Sequence, residues 1–165
     1  MRLNNKLYFF KTAFLLILLL PASSIFFACN SNQFYEKNTV IKNNSWYFKD
    51  SKVFEVELKD SLKIYNFYIN VRNTIDYKYA NLYLFINSEL PDGKIAKDTV
   101  EFQIADYQGK WLGKGSGKFR YNSFLLRKNI SFNKKGLYKF NLVHAMRSDS
   151  LKGIADVGIR IDIAK

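Results

Sequence analysis

Cysteine and histidine are nearly absent from this chain, which has one of each, Cys29 and His144. A single cysteine excludes an intramolecular disulfide, so the apolar core alone must stabilise the fold, as a chain of this size can do. One histidine, with no cysteine partner and no carboxylate cluster near it, argues against a zinc site. The Asp-x-Asp-x-Asp spacing of a calcium loop is missing as well. The sequence therefore predicts no metal and no cofactor.

Signatures of the common enzyme classes are missing too. No Gly-x-Ser-x-Gly segment is present to hold a nucleophilic serine, although a Ser-His-Asp triad built from distant residues is not excluded. Glu55 and Glu57 share one face of a predicted strand, but that face is the solvated one, so we interpret them as surface charge rather than as a glycosidase pair. We interpret His144 as a structural residue at a strand end. These absences predict a protein that is not an enzyme.

The first 28 residues have the layout of a secretory signal. Their start carries three basic residues, an apolar core follows at 14–20, and the small residue Ala28 precedes Cys29. A spanning helix needs about 20 apolar residues. Because Pro21 interrupts the apolar run, a permanent membrane span fits this segment less well than a signal peptide that is removed.

Cys29 occupies the position at which a bacterial lipoprotein is cut and acylated, with Phe26 at −3 and Ala28 at −1. The alternative is an ordinary secreted protein with a chance free thiol, but a free cysteine is a liability in an oxidising compartment. We predict that Cys29 is acylated and anchors the chain in a lipid bilayer, where each buried methylene contributes about 0.8 kcal/mol. Asn30 is not the Asp that retains lipoproteins in the inner membrane. We therefore expect the outer membrane, with the protein facing the periplasm.

The charge of the remaining chain is strongly positive. Removing residues 1–28 takes three of the 26 basic residues and none of the 14 acidic ones, which leaves 23 against 14 and a net charge of +9. A basic surface outside the cytoplasm suits anionic partners such as envelope glycans, and nucleic acid is not an expected partner. We interpret residues 29–45 as the lipidated N-terminus and a polar tether, in which the Phe34–Tyr35 pair could also begin a strand.

Residues 46–165 alternate apolar and polar side chains with a period of two, which is typical of half-buried strands. No segment long enough for a major helix shows a 3.6-residue period, although 145–151 could hold one short helical turn. We predict an all-β domain, an antiparallel β-sandwich of about seven or eight strands with an immunoglobulin-like or jelly-roll-like arrangement. The predicted strands cover 53–59, 62–72, 81–88 (apolar on both faces, hence central), 97–105, 119–132 (one or two strands), 136–143 and 157–163.

Residues 109–117 form a glycine-rich segment whose spacing fits neither a P-loop nor a dinucleotide-binding motif. One interpretation is a structural loop between two strands. The other is a binding loop in which Trp111, flanked by Lys110 and Lys114, stacks on a sugar ring or on a side chain of a partner.

Three segments match the pattern Asp-[Ser/Thr]-apolar, which resembles the O-glycosylation site of exported Bacteroidota proteins. The acceptors would be Ser61, Thr99 and Ser150, all in or beside predicted loops. We hypothesise that one or more of them carry a glycan. Intact-mass analysis of protein from the native host tests this, and a mass that corresponds to the lipidated polypeptide alone would contradict it.

Several stretches, in this order behind a lipoprotein signal, carry a family resemblance. The most specific are WLGKGSG at 111–117 and GIADVGIRI at 153–161, and the others are 62–73, 76–77, 79–82, 91–94, 106–110 and 144–147. Together they resemble the GldH family of gliding motility lipoproteins of Bacteroidota, over nearly all of the chain that follows the signal. The family usually has a polar residue where His144 stands, which argues further against a catalytic role for it.

The resemblance implies an outer-membrane lipoprotein needed for gliding, which in that setting is tied to type IX secretion, and it implies no enzymatic activity. A role in secretion or envelope assembly rather than motility is also open. We expect protein partners in that complex, and the candidate contact residues are Trp111, Lys110, Lys114, Arg147 and Arg160. One alternative is a glycan- or peptidoglycan-binding module that uses tyrosines such as Tyr68 and Tyr121, and another is a hydrolase with an unrecognised site.

Overall fold

The structure, a computed structural model, describes residues 32–164. Cys29, with its predicted acylation, and the predicted signal peptide lie outside the described residues. Within 32–164, no helix is long and apolar enough to cross a membrane. The elements are β1 (Gln33–Val40), a 3₁₀ turn (Lys42–Asn44), β2 (Ser45–Tyr47), β3 (Lys52–Leu58), β4 (Ile64–Thr74), β5 (Asn81–Glu89), β6 (Ile95–Gln103), β7 (Phe119–Ser131), β8 (Gly136–His144), β9 (Ser150–Lys152) and β10 (Ile154–Ile163).

All strand pairs are antiparallel, and the eight longer strands form two four-stranded sheets. The first sheet has the order β1-β10-β4-β7 and the second the order β3-β8-β5-β6, while β2 and β9 form a small separate ribbon. When the eight longer strands are numbered along the chain, the sheets run 1-8-3-6 and 2-7-4-5, which is the strand order of a jelly roll. The predicted all-β antiparallel sandwich is therefore confirmed, and of the two arrangements left open the structure has the jelly roll.

The core lies between the two sheets. Phe54, Val56 and Leu58 are buried as their alternation predicts, and β5 lies between β8 and β6 as expected for a central strand. Rings meet across the core, with Phe67 on β4 centred 4.8 Å from Phe140 on β8. Each such large apolar side chain contributes about 1.5–3 kcal/mol through its burial.

Two segments differ from the prediction. We place residues 29–45 mainly in a tether, but Gln33–Val40 forms β1 and pairs with β10, so the folded domain begins well before residue 46. Most β1 side chains are exposed, so the alternation that would reveal a strand is weak there. The expected helical turn within 145–151 is absent, and Ser150–Lys152 instead forms β9, which pairs with β2 beside the buried Trp46.

The two ends of the sandwich are formed by different parts of the chain. At one end, which we call the anchor end, the Ile163 N–H donates to the carbonyl oxygen of Asn32 (2.7 Å), where the described chain begins. The opposite end, which we call the distal end, is formed by the loops 75–80, 104–118 and 145–149. The seven residue steps from Asp156 to Ile163, at about 3.3 Å each, separate the two ends by about 23 Å.

Candidate interaction surfaces

The outward side chains of the first sheet form a polar face. On β10, Val157, Ile159 and Ile161 point into the core, so the residues between them point outward. The strand register places Asp156 opposite Arg72 and Arg160 opposite Tyr68. The polar face consists of Glu36, Asn38, Tyr68, Asn70, Arg72, Tyr121, Ser123, Asp156, Gly158, Arg160 and Asp162.

Asn70 is the centre of this face and is fully buried, although it lies on the outer side of the sheet. Its Nδ2 donates to Glu36 Oε1 (2.9 Å) and to Asn38 Oδ1 (3.4 Å), and its Oδ1 accepts a hydrogen bond from Ser123 Oγ (2.9 Å). The Tyr121 hydroxyl also donates to Glu36 (3.4 Å). These bonds join β1, β4 and β7 across β10, and they hold the side chains in fixed positions.

The network crosses β10 because Gly158, which lies between Asn38 and Asn70 in the register, has no side chain. A Cβ at this position would overlap the Asn38 side chain and the Lys37 carbonyl oxygen. Glycine in a strand often marks such a close approach of a neighbouring chain segment. Gly158 therefore permits Asn38 to reach over β10.

Two ion pairs complete the polar face. Arg72 pairs with Asp156, whose side chain is 8% exposed. Burial raises the pKa of Asp156, and the Arg72 guanidinium opposes that rise. Arg160 lies 3.3 Å from Asp162, and burial likewise raises the pKa of Asp162 against the effect of Arg160.

Arg160 also has an aromatic partner on this face. Its guanidinium carbon lies 4.3 Å from the centre of the Tyr68 ring, a cation–π arrangement. Burial is the largest cause that raises the pKa of the Tyr121 hydroxyl, followed by the negative charge of Glu36. The polar face thus presents two arginines, three carboxylates and two tyrosines in a preformed array.

The 109–117 loop is tied to both sheets. Trp111 is half-buried against the core and pairs with Ala105, and the Leu112 N–H donates to the Ile104 carbonyl (2.9 Å). This packing favours the structural interpretation of Trp111. Lys110 is exposed, as is Lys114.

Lys114 exchanges two backbone hydrogen bonds with Tyr121, of 2.8 and 2.7 Å. Because Tyr121 belongs to the polar face, the exposed Lys114 side chain stands at the edge of that face, on the same sheet as Arg160. The loop is therefore a continuation of the polar face at the distal end.

Arg147 lies apart from the other candidate contacts. It is exposed in the distal loop that follows β8, beside Tyr83 and Met146. The Tyr83 N–H donates to the Met146 sulfur (3.4 Å), which holds this loop against β5 of the second sheet. The structure thus brings Lys114 and Arg160 to one sheet and leaves Arg147 beside the other.

His144 is the last residue of β8 and is buried, with its ring 5.5 Å from that of Trp46 in an edge-on contact. Burial lowers the pKa of His144, so the imidazole is neutral at neutral pH. Residues 32–164 contain no cluster of three or more His, Cys, Asp or Glu that could hold a metal ion. His144 thus has the surroundings of a structural residue.

The three candidate glycan acceptors differ in their surroundings. Ser61 lies in the turn between β3 and β4, and Thr99 is exposed within the edge strand β6 rather than in a loop. The Ser150 hydroxyl shares a hydrogen bond of 2.7 Å with Ser45. Modification of any of them stays a prediction.

Most of the polar face could not be predicted from the sequence. The alternation of β4 predicts a solvated Asn70, whereas the structure buries it under side chains of β1 and β7. Asp156 lies 84 positions from Arg72, and no local signal indicates that they pair. Only Gly158, a glycine within an alternating strand, gives a hint of a close approach.

Comparison with known proteins agrees with the resemblance. The model of the family described as "GldH lipoprotein" matches residues 33–161. A protein of Christiangramia forsetii named "Gliding motility lipoprotein GldH homolog" is 34% identical over 160 residues, which cover 92% of this chain and 97% of the relative. The "Gliding motility lipoprotein GldH" of Flavobacterium johnsoniae is 31% identical over 153 residues, which cover 88% of this chain and 94% of that protein.

Proposed function

The chain belongs to the GldH lipoprotein family, and from this premise we propose that it is a non-enzymatic outer-membrane lipoprotein that assists gliding motility or type IX secretion. The names of both relatives support the link to gliding motility. Membership of a lipoprotein family implies an anchor in a membrane of the cell envelope, and Cys29 is the one cysteine available for acylation. Asn30 directly after it favours the outer membrane and the periplasmic face.

The geometry of the domain suits a docking role away from the bilayer. Cys29 lies three positions before Asn32, where the described chain begins, with two residues between them. The seven residue steps from Asp156 to Ile163 in β10 separate the anchor end of the domain from the distal end by about 23 Å. The loop with Lys110, Lys114 and Trp111 lies at the distal end, opposite the end at which the described chain begins.

The observation that best supports docking at the polar face is that hydrogen bonds around Asn70 already hold its side chains in place. A partner that binds there would not have to order those side chains first, which is a main cost of association. Charges of both signs give such a surface specificity through complementarity. The polar face carries two arginines against three carboxylates, with the exposed Lys114 at its edge, so it suits a partner whose contact surface also has charges of both signs.

In-cell cross-linking of the acylated protein, followed by purification and mass spectrometry, tests this proposal. We expect gliding or type IX secretion proteins among the recovered partners. Lys114→Glu and Arg160→Gln should lower their recovery, whereas Lys59→Glu, an exposed position at the anchor end, should not. Trp111→Ala should also weaken recovery, but this side chain packs on the core, so its thermal unfolding must be compared first.

A deletion strain separates the two cellular roles. Loss of colony spreading with normal secretion would indicate motility, and loss of type IX cargo from the medium would indicate secretion. Normal spreading and normal secretion in a host that performs both would contradict the proposal. Unchanged partner recovery with Lys114→Glu and Arg160→Gln would remove the polar face from it.

The alternative function is binding of an envelope glycan or peptidoglycan. Tyr68 and Tyr121 both lie on the polar face, and aromatic rings beside amide and charged groups can bind sugars. However, Arg160 covers one face of the Tyr68 ring. Saturable binding of the protein to isolated peptidoglycan, lost in Tyr121→Ala, would favour this function. Recovery of glycan fragments without protein partners would favour it as well.

A further inference from the structure

A cavity of about 350 Å³ opens between the two sheets at the anchor end. Its volume falls within the range of about 300–1,000 Å³ typical of small-molecule sites. It lies where the edge strands β6 and β7 face each other without pairing, so the sandwich is open on this side. Neither the candidate contact residues nor the polar face line this cavity.

The interior of the cavity is apolar and largely aromatic. Its walls include Phe67, Leu126, Phe132, Tyr138 and Phe140, from both sheets. Phe132 packs edge-on against Tyr138, with ring centres 5.0 Å apart. The Tyr138 hydroxyl is already engaged, since it donates to the Lys134 carbonyl (2.9 Å). Such an interior favours an apolar ligand over water.

The mouth of the cavity is charged, and its charged residues are all exposed. Arg127 on β7 pairs with Asp98 on β6 across the opening (3.3 Å), whereas Lys134 pairs with Asp92 and joins the loop after β7 to the loop between β5 and β6. Lys94 is also exposed at the mouth, and Lys134 rather than Lys94 is the cation in the ion pair with Asp92. Exposed ion pairs contribute only about 0–1 kcal/mol each, so they present little obstacle to a ligand that enters between them.

The position of the cavity relates it to the membrane. Ile130 and Ser131 in the wall of the cavity pair with Tyr65 and Ile64 of β4. These residues lie at the anchor end of the first sheet, where the described chain begins at Asn32. Three strand spacings of about 4.8 Å, or roughly 14 Å in all, separate β7 from β1. The cavity therefore opens at the same end of the domain as Asn32, three positions after the predicted acylation site Cys29.

We propose that this cavity binds a single acyl chain that bears an anionic head group. Its volume of about 350 Å³ lies at the lower end of the range for small-molecule sites, which suits part of an alkyl chain. The chain would lie against Phe132 and Phe140, and the head group would remain at the mouth near Lys94. A free fatty acid and an anionic phospholipid share this chemistry. The lining of the cavity does not depend on the docking proposal, whereas its relation to a bilayer rests on the predicted acylation of Cys29.

Photolabelling of the acylated protein in its own membranes tests the site. Palmitic acid with a diazirine in its chain is added, the membranes are irradiated, and labelled residues are mapped by mass spectrometry. We expect label on the walls of the cavity, with Phe132 and Tyr138 prominent, and competition by excess unmodified palmitate. A parallel labelling with diazirine-bearing phosphatidylglycerol identifies the source of the chain. Label from either lipid supports the site and names its ligand.

Two variants and a matched control make the test specific. Leu126→Trp fills the cavity from β7, and Leu90→Trp blocks it from the loop at its mouth; each should lower cavity labelling roughly tenfold or more, because methylenes of the ligand lose their burial. Leu137→Trp places the same change on the exposed side of β8 and should leave labelling unchanged. Thermal unfolding checks that each variant is folded. Label that is spread over the surface, resists competition, or persists in folded Leu126→Trp and Leu90→Trp would overturn the proposal.

Discussion

Replacing Gly158 with alanine would test whether the close approach of β1 to β10 holds the polar face together. Gly158 lies within a paired strand, so alanine meets no obstacle in the backbone conformation itself. The obstacle is space, because the new Cβ would overlap the Lys37 carbonyl oxygen and lie 2.8 Å from Asn38 Cα. Both are backbone atoms of β1, so β1 would have to move away from β10.

The size of the effect follows from overpacking. Extra carbon forced into a filled position costs typically about 1–3 kcal/mol, and here the cost includes strained β1–β10 hydrogen bonds. A domain of this size loses about 4 °C in Tm for each kcal/mol, from about 2.1 cal/mol/K of unfolding entropy per residue. We therefore expect Gly158→Ala to lower the free energy of unfolding by about 2–3 kcal/mol and the Tm by about 7–11 °C.

Urea denaturation and amide hydrogen exchange together measure this prediction. The exchange protection of Gln33–Val40 should fall, since the displaced strand is β1. Gly93→Ala is the control, because Gly93 has φ +80° and no atom within 4 Å of an added Cβ. It should cost only the left-handed strain of about 1–2 kcal/mol and leave β1 protected.

A double variant separates side-chain overlap from backbone overlap. Adding Asn38→Ala to Gly158→Ala removes the overlapping side chain but leaves the Lys37 carbonyl in place. The double variant should therefore regain little of the stability that Gly158→Ala loses. Full rescue by Asn38→Ala would show that only a side chain was in the way. Unchanged stability and unchanged β1 protection in Gly158→Ala would refute the reasoning altogether.

Three further predictions concern buried polar groups. Trp46→Phe should cost about 2 kcal/mol in urea denaturation, because it leaves space in the core and removes the 2.7 Å bond from the indole N–H to the Asp50 carbonyl. Since burial lowers the pKa of His144 below its unfolded value of about 6.5, the free energy of unfolding should fall with pH below about 6.5, by at most about 1.4 kcal/mol per pH unit. His144→Gln should reduce this dependence of the free energy of unfolding on pH. The same pH dependence in His144→Gln and in the unchanged protein would contradict the attribution to His144. Arg72→Met should destabilise the fold by about 3 kcal/mol at pH 7, because it leaves the buried Asp156 carboxylate unpaired, and the deficit should shrink as the pH falls and Asp156, whose pKa burial raises, takes up a proton; a deficit independent of pH would argue against the pair.

The class of the fold could be read from the sequence because the pattern that encodes it is local. A strand with one buried face alternates its side chains with a period of two wherever its partners lie. Phe54, Val56 and Leu58 therefore showed which way β3 faces. Residues 81–88, apolar on both faces, predicted a central strand, and β5 is central, but the structure buries only one of its faces and leaves Phe85 on the other 46% exposed. The lipoprotein box predicted at Cys29 is local in the same sense, since it is a short motif read along the chain.

Strand order, the polar face and the cavity were decided only by the tertiary structure. Pairing between strands depends on hydrogen bonds from residues far apart in sequence, so the alternation of β10 does not reveal that β1 and β4 flank it. The exposed β1 becomes a strand because β10 offers it an edge. Likewise Asn70 is buried by Glu36, 34 positions away. The sequence by itself determined which side chains face inward, because that depends on neighbours along the chain; the fold decided which of them meet, because that depends on how the sheets close.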